Sequence, residues 1–202
     1  MAIISTYASL QTAVSDYLAR DDLSSYVVNF IQNAENKLSR TLNLRNEETA
    51  LSVAISSGVA AVPTDFKALK LAYYEQTPVQ LLEWVTVEEV YNDYADRSSS
   101  GVPLVISREA TNFIFGPVAN DGTLKGVYYA KQDPLRTTDP SWYVTNAPEV
   151  LLYASLLEAA PFIHDDQRLM VWQSLLGEAV ESLKEEQYNA EYSMGHLIQR
   201  AS

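Results

Sequence analysis

The chain has 202 residues, of which 47% are hydrophobic and none is cysteine, and its formal net charge at pH 7 is −12. This length and composition predict one globular domain with a substantial core, and the lack of cysteine excludes disulfides, thiolate metal sites and cysteine nucleophiles. The acidic balance argues against a sequence-reading nucleic-acid-binding protein, which needs a basic face toward the phosphates. No apolar run reaches the length of a membrane span, and the N-terminal sequence lacks the pattern of a secretory signal.

Two stretches of helical periodicity occupy the start of the chain. Apolar residues recur at three- and four-residue spacing over Tyr7–Leu18, with Ser5 or Thr6 as the expected N-cap. A second amphipathic stretch runs from about Ser24 or Ser25 to Leu42. The short acidic turn between them predicts a helical hairpin within residues 5–43.

Between residues 47 and 131 the apolar pattern changes to that of short strands separated by turn residues. Asp121 and Gly122, within VANDGT, predict a hairpin turn between the last two strands. Thr86 and Glu89 have capping-box spacing at the start of a short helix. The predicted strands lie in seven segments: ETALSVAI, GVAAVP, KALKLAYYE, PVQLLEWV, LVISRE, NFIFGPV and TLKGVYYAK.

The C-terminal part of the chain predicts a second pair of helices, within residues 149–187. The connection DPLRTTDPSWYVTNAP has no clear period, and the segment after it, Glu149–Ile163, is apolar on nearly every face and predicts a buried central helix. A last helix follows from Asp165 or Asp166, with one apolar face and one acidic face. Residues 188–202 predict a flexible C-terminal tail, because this stretch is too polar and too short to form a stable helix alone.

Together these elements predict an α+β fold. The N-terminal hairpin and the C-terminal helix pair must bury their apolar faces against each other as a bundle. A central antiparallel β-sheet or barrel-like region is inserted between them, and a C-terminal extension follows. We predict a single domain over residues 1–187 and the tail over residues 188–202.

The consecutive residues His164, Asp165 and Asp166 are the first candidate for a metal site or an acid–base pair. Consecutive helical residues point about 100° apart, so they do not converge on one ion. A turn between helices explains them better, because a histidine is favoured at a helix C-terminus and an aspartate caps the next helix. The other histidine, His196, lies in the predicted tail. We therefore predict no catalytic, metal-binding or cofactor-binding residue.

Two tyrosine pairs lie on predicted strands. Tyr73 and Tyr74, and likewise Tyr128 and Tyr129, must point to opposite faces of their strand. One tyrosine of each pair should lie in the core. The other lies on a surface that is either an interface, where tyrosine is enriched, or ordinary sheet surface.

The order of motifs resembles that of the head-to-tail adaptor proteins of short-tailed phages, which are related to tail tubular protein A. The segment VAAVPTDFKALKL resembles the family's motif of a hydrophobic residue, proline, any residue, aspartate and phenylalanine. Three further segments match in the same order: PVQLLEWVTVEEV, GVPLVISREATNFIFGPVANDGTLKGVYYAKQDPL and SWYVTNAPEVLLYASLLEAAPFIHDDQRLMVWQSLLGEAV. In the family pattern the acidic pair at residues 165 and 166 is a turn feature.

The resemblance implies a structural protein of the virion neck or tail, assembled in the host cytoplasm. Copies would form a ring, expected to be twelvefold, beneath the portal, where they would extend the DNA channel and support the tail nozzle and fibres. DNA would pass without specific binding, and no membrane or cofactor would be involved. Two alternatives remain open: a small carboxylate-dependent hydrolase, and a monomeric adhesion or fibre-binding module.

Three sets of residues are candidates for contacts in such an assembly. The first set consists of tail residues that would bind portal or tail proteins: Tyr188, Tyr192, Met194, Leu197 and Ile198. The second consists of cations expected at subunit interfaces of a strongly acidic ring: Lys37, Arg40, Arg45, Lys67 and Lys70. The third consists of acidic residues expected to face the lumen: Glu178, Glu181 and Glu185.

Overall fold

The structure, a computed structural model, describes residues 3–98, 100–132, 141–163 and 167–192, with residues 191 and 192 described by their backbone alone. The chain divides into two compact units. A helical unit comprises Met1–Leu42 and Asp133–Ser202, and a β unit comprises Asn43–Gln132. The predicted α+β fold, with a β region inserted between two helical segments, is confirmed.

The helices and strands of the described residues follow one another in a simple order. In chain order they are α1 (Tyr7–Leu18), α2 (Val27–Thr41), β1 (Glu48–Ala54), β2 (Val59–Ala61), β3 (Phe66–Tyr74), β4 (Gln80–Leu81), β5 (Glu83–Trp84), α3 (Val87–Asp93), β6 (Val105–Glu109), β7 (Asn112–Gly116), β8 (Thr123–Ala130), α4 (Trp142–Asn146), α5 (Pro148–Glu158) and α6 (Arg168–Tyr192).

Local sequence determines where α1 begins. The hydroxyl of Thr6 accepts a hydrogen bond from the backbone N–H of Ser9 at 3.1 Å, and the Ser9 hydroxyl accepts one from the N–H of Thr6 at 2.9 Å. This reciprocal pair confirms Thr6 as the N-cap of α1. A 3-10 turn over Asp21–Tyr26 precedes α2, so α2 begins slightly later than the apolar pattern predicts.

Helix α5 is the centre of the helical unit and contacts α1, α2, α4 and α6. Its residues Val150, Leu151, Leu152 and Leu156 are fully buried, which explains why the segment is apolar on nearly every face. The predicted buried central helix is confirmed, although it ends at Glu158. Helix α4 was not predicted, because five residues are too few to show a helical period.

Helix α6 is longer than the sequence predicts. Trp172 and Leu183 on its apolar face are buried, while Leu176 and Val180 are half-buried. The helix continues to Tyr192, so the first five residues of the predicted tail are helical. Once a helix is nucleated, each added residue gains a hydrogen bond without a new nucleation cost. The rest of the predicted tail lies outside the described residues.

The β unit consists of two four-stranded sheets, in the orders β1-β8-β3-β4 and β2-β7-β6-β5. The paired strands are antiparallel except β5 and β6, which are parallel. Both sheets contribute to one core. The Phe66 ring of the first sheet lies 5.4 Å from the Phe113 ring of the second, centroid to centroid, and 5.7 Å from the Tyr128 ring of its own sheet.

The prediction of a β-hairpin at VANDGT is wrong. Strand β7 pairs with β2 and β6, whereas β8 pairs with β1 and β3 in the other sheet. Gly122 does adopt the left-handed backbone that a turn requires, with φ +98°. Its carbonyl, however, accepts a hydrogen bond from the N–H of Ile55 at 2.9 Å. Turn residues reverse the chain, but they do not determine which strands become partners.

No helix among the described residues is long and apolar enough to cross a membrane.

Candidate assembly surfaces

His164, Asp165, Asp166 and His196 lie outside the described residues. Among the described residues, no group of three or more histidine, aspartate or glutamate side chains is arranged to hold a metal ion.

The helical unit contains a groove of about 410 Å³ between α2, α5 and α6. Its lining is largely apolar, with Leu38, Leu157 and Val180 among its residues. Glu158 is the acidic residue of this lining, and its carboxylate forms an ion pair with Lys37. The groove therefore does not present the pair of converging carboxylates that a carboxylate-dependent hydrolase needs.

The five predicted interface cations do not belong to one unit of the structure. Lys37 and Arg40 lie on α2 in the helical unit, where the Arg40 Nε donates a hydrogen bond to the backbone carbonyl of Asn36 at 3.1 Å. Arg45 lies in the 3-10 turn that leads into β1 of the β unit. Lys67 and Lys70 lie on β3 in the same β unit.

Lys67 and Lys70 form ion pairs in very different surroundings. The Lys67 Nζ lies 2.6 Å from the Glu47 carboxylate, whose side chain is 0% exposed, and the Lys67 side chain is 11% exposed. The same carboxylate accepts a hydrogen bond from the backbone N–H of Leu44 at 3.3 Å. Lys70 pairs with Glu48 at 2.8 Å, and both side chains remain partly exposed. The Lys67–Glu47 pair thus belongs to the interior, whereas the Lys70–Glu48 pair lies at the surface.

The acidic residues predicted to face a lumen form one stripe on α6. Glu178, Glu181 and Glu185 are three and four residues apart, so they share a helix face, and all three are exposed. Lys184 interrupts the stripe and pairs with Glu181 at 2.7 Å.

The predicted partner-binding residues are only partly described. Tyr188 lies on the last turns of α6 with 63% of its side chain exposed. The backbone of Tyr192 ends the same helix. Met194, Leu197 and Ile198 lie outside the described residues.

Each tyrosine pair points to both faces of its strand, as predicted. Tyr128 is buried, and its hydroxyl donates a hydrogen bond to the Asp65 carboxylate at 3.0 Å. Burial first, and then this hydrogen bond, raise the pKa of Tyr128 above its ordinary value. Tyr74 packs against the same core. Tyr73 and Tyr129 are half-buried on the outer face of the sheet.

The other perturbed groups lie outside the groove lining. The hydroxyl of Tyr91 donates to the Glu109 carboxylate at 3.1 Å, and this bond raises the pKa of Tyr91. A hydrogen bond to Glu75 raises the pKa of Lys125. These shifts arise from individual surface pairs, which do not form a cluster of titrating groups around a cavity.

The first sheet carries an exposed apolar surface that was not predicted from the sequence. Leu71, Val79 and Leu81 are 45%, 57% and 60% exposed. The sequence contains a sign of this surface, because KALKLAYY carries apolar residues at both alternating positions, whereas a half-buried strand usually alternates apolar and polar residues.

The exposed apolar surface at Leu71, Val79 and Leu81 is typical of a protein that associates with other proteins. The chain belongs to the SU10 adaptor protein family, whose model matches residues 5–200. The resemblance to phage head-to-tail adaptors is therefore confirmed, and the protein is a structural adaptor of a bacteriophage virion. A search of curated proteins finds no match.

Proposed function

We propose that copies of this adaptor form a ring, twelvefold in our expectation, beneath the portal of the phage. The ring extends the DNA channel and offers a platform for the tail nozzle and fibres. The observation that carries this proposal is the family match over residues 5–200, which ties almost the whole chain to an adaptor role. The family also favours a role in assembly over an enzymatic one. Assembly in the host cytoplasm and a position in the virion neck belong to the same proposal.

The acidic stripe of α6 is the proposed lining of the channel. Glu178, Glu181 and Glu185 are exposed on one helix face, and carboxylates repel the phosphates of DNA. A lining of this charge lets DNA slide through without specific binding, because it offers no cations to displace the counterions of the phosphates.

The cations contribute to the ring in two different ways. Lys37, Arg40 and Arg45 are exposed, and Lys37 pairs with Glu158 of its own chain; in the ring these three side chains lie at the contact with a neighbouring copy. Lys70 is partly exposed beside Glu48 and is also accessible. Lys67 is nearly buried against Glu47, so it supports an interface by fixing β3 within its own chain.

The C-terminal segment is the proposed anchor to the portal. Tyr188 presents an exposed aromatic ring near the end of α6. Further candidate contact residues follow in the sequence: Tyr192, Met194, Leu197 and Ile198. A segment that orders on contact can cover a large partner surface, at the cost of its own entropy.

Binding to purified portal rings of the same phage tests the proposed function. The purified chain is mixed with portal rings, and the mass of the complex is measured by native mass spectrometry. We expect one closed ring of adaptor copies on each portal. An adaptor that leaves the portal mass unchanged, or that adds only single copies, would contradict the proposal.

A further inference from the structure

The outer face of the sheet β1-β8-β3-β4 carries apolar side chains that remain exposed in the structure. Strand β8 alternates strictly, with Leu124, Gly126 and Tyr128 buried toward the core. The intervening residues Lys125 and Val127 therefore face outward.

The strand register shows which residues share this outer face. Val127 pairs with Ala50 of β1 on one side and with Leu71 of β3 on the other. Lys125 pairs with Tyr73, and Tyr73 pairs in turn with Leu81 of the edge strand β4. Paired residues point to the same side of a sheet, so Leu71, Tyr73 and Leu81 are neighbours on the outer face.

Such a surface is unusual for an antiparallel sheet with one solvated face, where outward residues are normally polar. Leu71 and Leu81 are 45% and 60% exposed, and Val79, two residues before Leu81, is also exposed. A contiguous exposed apolar patch with a polar rim marks a site of protein association.

The charges around this surface are balanced within the chain. Lys70 in the middle of β3 pairs with Glu48 at the start of β1, and Lys125 of β8 pairs with Glu75 just after β3. Each pair thus contributes one cation and one anion. The chain as a whole carries −12, so most encounters between two copies are repulsive. This neutral surface is a place where two copies can come into contact without that repulsion.

We infer that the surface formed by Leu71, Tyr73, Val79, Leu81 and Val127 is a contact between copies of this chain in the assembled ring. The inference rests on the proposed function, since it assigns one surface to the contacts that close the ring. Its apolar residues supply the burial that holds the copies together, and its two balanced ion pairs remove the local charge penalty.

A photo-crosslinking experiment identifies what touches this surface. The chain has no native cysteine, so Leu81→Cys provides one attachment point for a maleimide-linked benzophenone. The labelled chain is illuminated on portal rings and also alone at about 1 M salt, where charge repulsion is screened. An unmodified copy grown on a heavy nitrogen isotope is included, so that a heavy crosslinked peptide identified by mass spectrometry can come only from a second copy. Asn92→Cys, an exposed polar position on α3, is the matched control.

We expect the Leu81→Cys probe to capture a peptide of a second copy of this chain, and the Asn92→Cys probe to capture none. Capture of only portal or nozzle peptides, or no capture at all, would overturn the inference. If rings do not form on the portal, the proposed function fails. The experiment on the chain alone then still decides whether copies meet at this surface.

A second pair of variants measures the contribution of this surface. The double substitution Leu71→Asp and Leu81→Asp should weaken self-association at least tenfold. It should leave the melting temperature within about 2 °C, because both side chains are exposed. The control Asn92→Asp with Asn120→Asp adds the same charge at exposed positions elsewhere in the β unit. Equal self-association by the two double variants would show that charge alone matters and that the sheet surface is not the contact.

Discussion

At the scale of single residues, the buried carboxylate of Glu47 depends on a neighbouring cation to compensate its charge. A charge at 0% exposure loses its hydration, and its partner Lys67 compensates at 2.6 Å. Lys67→Met keeps the aliphatic stem but leaves the carboxylate without its cation. We expect a loss of about 3–5 kcal/mol in the free energy of unfolding, measured by urea denaturation.

Lys70→Met is the matched control for that change. Lys70 lies on the same strand and pairs with Glu48 at 2.8 Å, but both partners are partly exposed. Exposed pairs contribute about 0–1 kcal/mol. Equal losses in the two variants would refute the view that Lys67 is an interior residue and Lys70 a surface one.

The Tyr128–Asp65 hydrogen bond predicts a dependence of stability on alkaline pH. Because the pKa of Tyr128 is raised in the folded state, its contribution is complete below the ordinary tyrosine pKa of about 10. The contribution is lost as pH rises through the raised value. Tyr128→Phe should therefore cost about 1–2 kcal/mol at about pH 8, and this difference should shrink at about pH 11.

Urea unfolding of the wild type and the variant at the two pH values checks this expectation. Tyr73→Phe, on the outer face of the same sheet, should show a much smaller difference at both values. A Tyr128→Phe difference that grows with pH would mean that the phenolate, not the neutral phenol, is the form stabilised by folding.

Residue-scale features were predictable where they are local. The Thr86–Glu89 capping box, predicted from its spacing of three residues, forms, and Thr6 is the N-cap of α1. The Lys67–Glu47 pair joins residues 20 positions apart and depends on how β1, β3 and the turn at Arg45–Glu47 are packed. No short-range pattern indicates such a pair, so the sequence predicted Lys67 only as a cation at a subunit interface.

At the scale of elements, the acidic stripe of α6 is the part of the proposed channel that can be tested by charge reversal. Glu178→Lys, Glu181→Lys and Glu185→Lys together change the stripe from repelling DNA to attracting it. The triple variant should bind duplex DNA at low salt and release it as salt rises, because its cations displace phosphate counterions. The wild type should not bind at either salt concentration.

A fluorescence anisotropy titration with a random duplex measures this binding. The matched control replaces the same three residues by glutamine, which removes the charge without adding cations. Wild-type binding as strong as that of the lysine variant would argue against an acidic DNA-facing surface.

The C-terminal segment can be removed without touching any described helix. Truncation after Tyr192 leaves α6 complete and deletes Met194, Leu197 and Ile198. We expect an unchanged melting temperature, because the packed positions of α6, such as Trp172 and Leu183, remain. We also expect loss of binding to portal rings in a pull-down. If the truncated chain bound portal rings as tightly as the full chain, the portal contact would have to lie on the helices.

Elements with their own periodicity were predicted well, and pairings between distant elements were not. The apolar pattern located α1, α2 and α5, and the short strands of the β region. It did not reveal that β7 and β8 belong to different sheets, because the Asp121-Gly122 turn is the same in a hairpin and in a crossing between sheets. The apolar outer face at Leu71 and Leu81 emerged only once the strand register was known.

At the scale of the whole molecule, charge sets the conditions for assembly. Each copy carries −12, so copies brought into a ring repel one another at low ionic strength. Added salt shortens the range of that repulsion to about 3 Å at 1 M. We expect the isolated chain to be monomeric at low salt and to associate increasingly as salt is added, as measured by sedimentation velocity. Association that weakens with salt would instead indicate that ion pairs between copies dominate.

Electron cryo-microscopy of the neck of a virion that contains this chain tests the proposed ring directly. We expect a closed ring of its copies between the portal and the tail nozzle, with the α6 stripe of Glu178, Glu181 and Glu185 facing the DNA. A map that places the chain at a fibre tip, or as isolated copies away from the DNA channel, would contradict it.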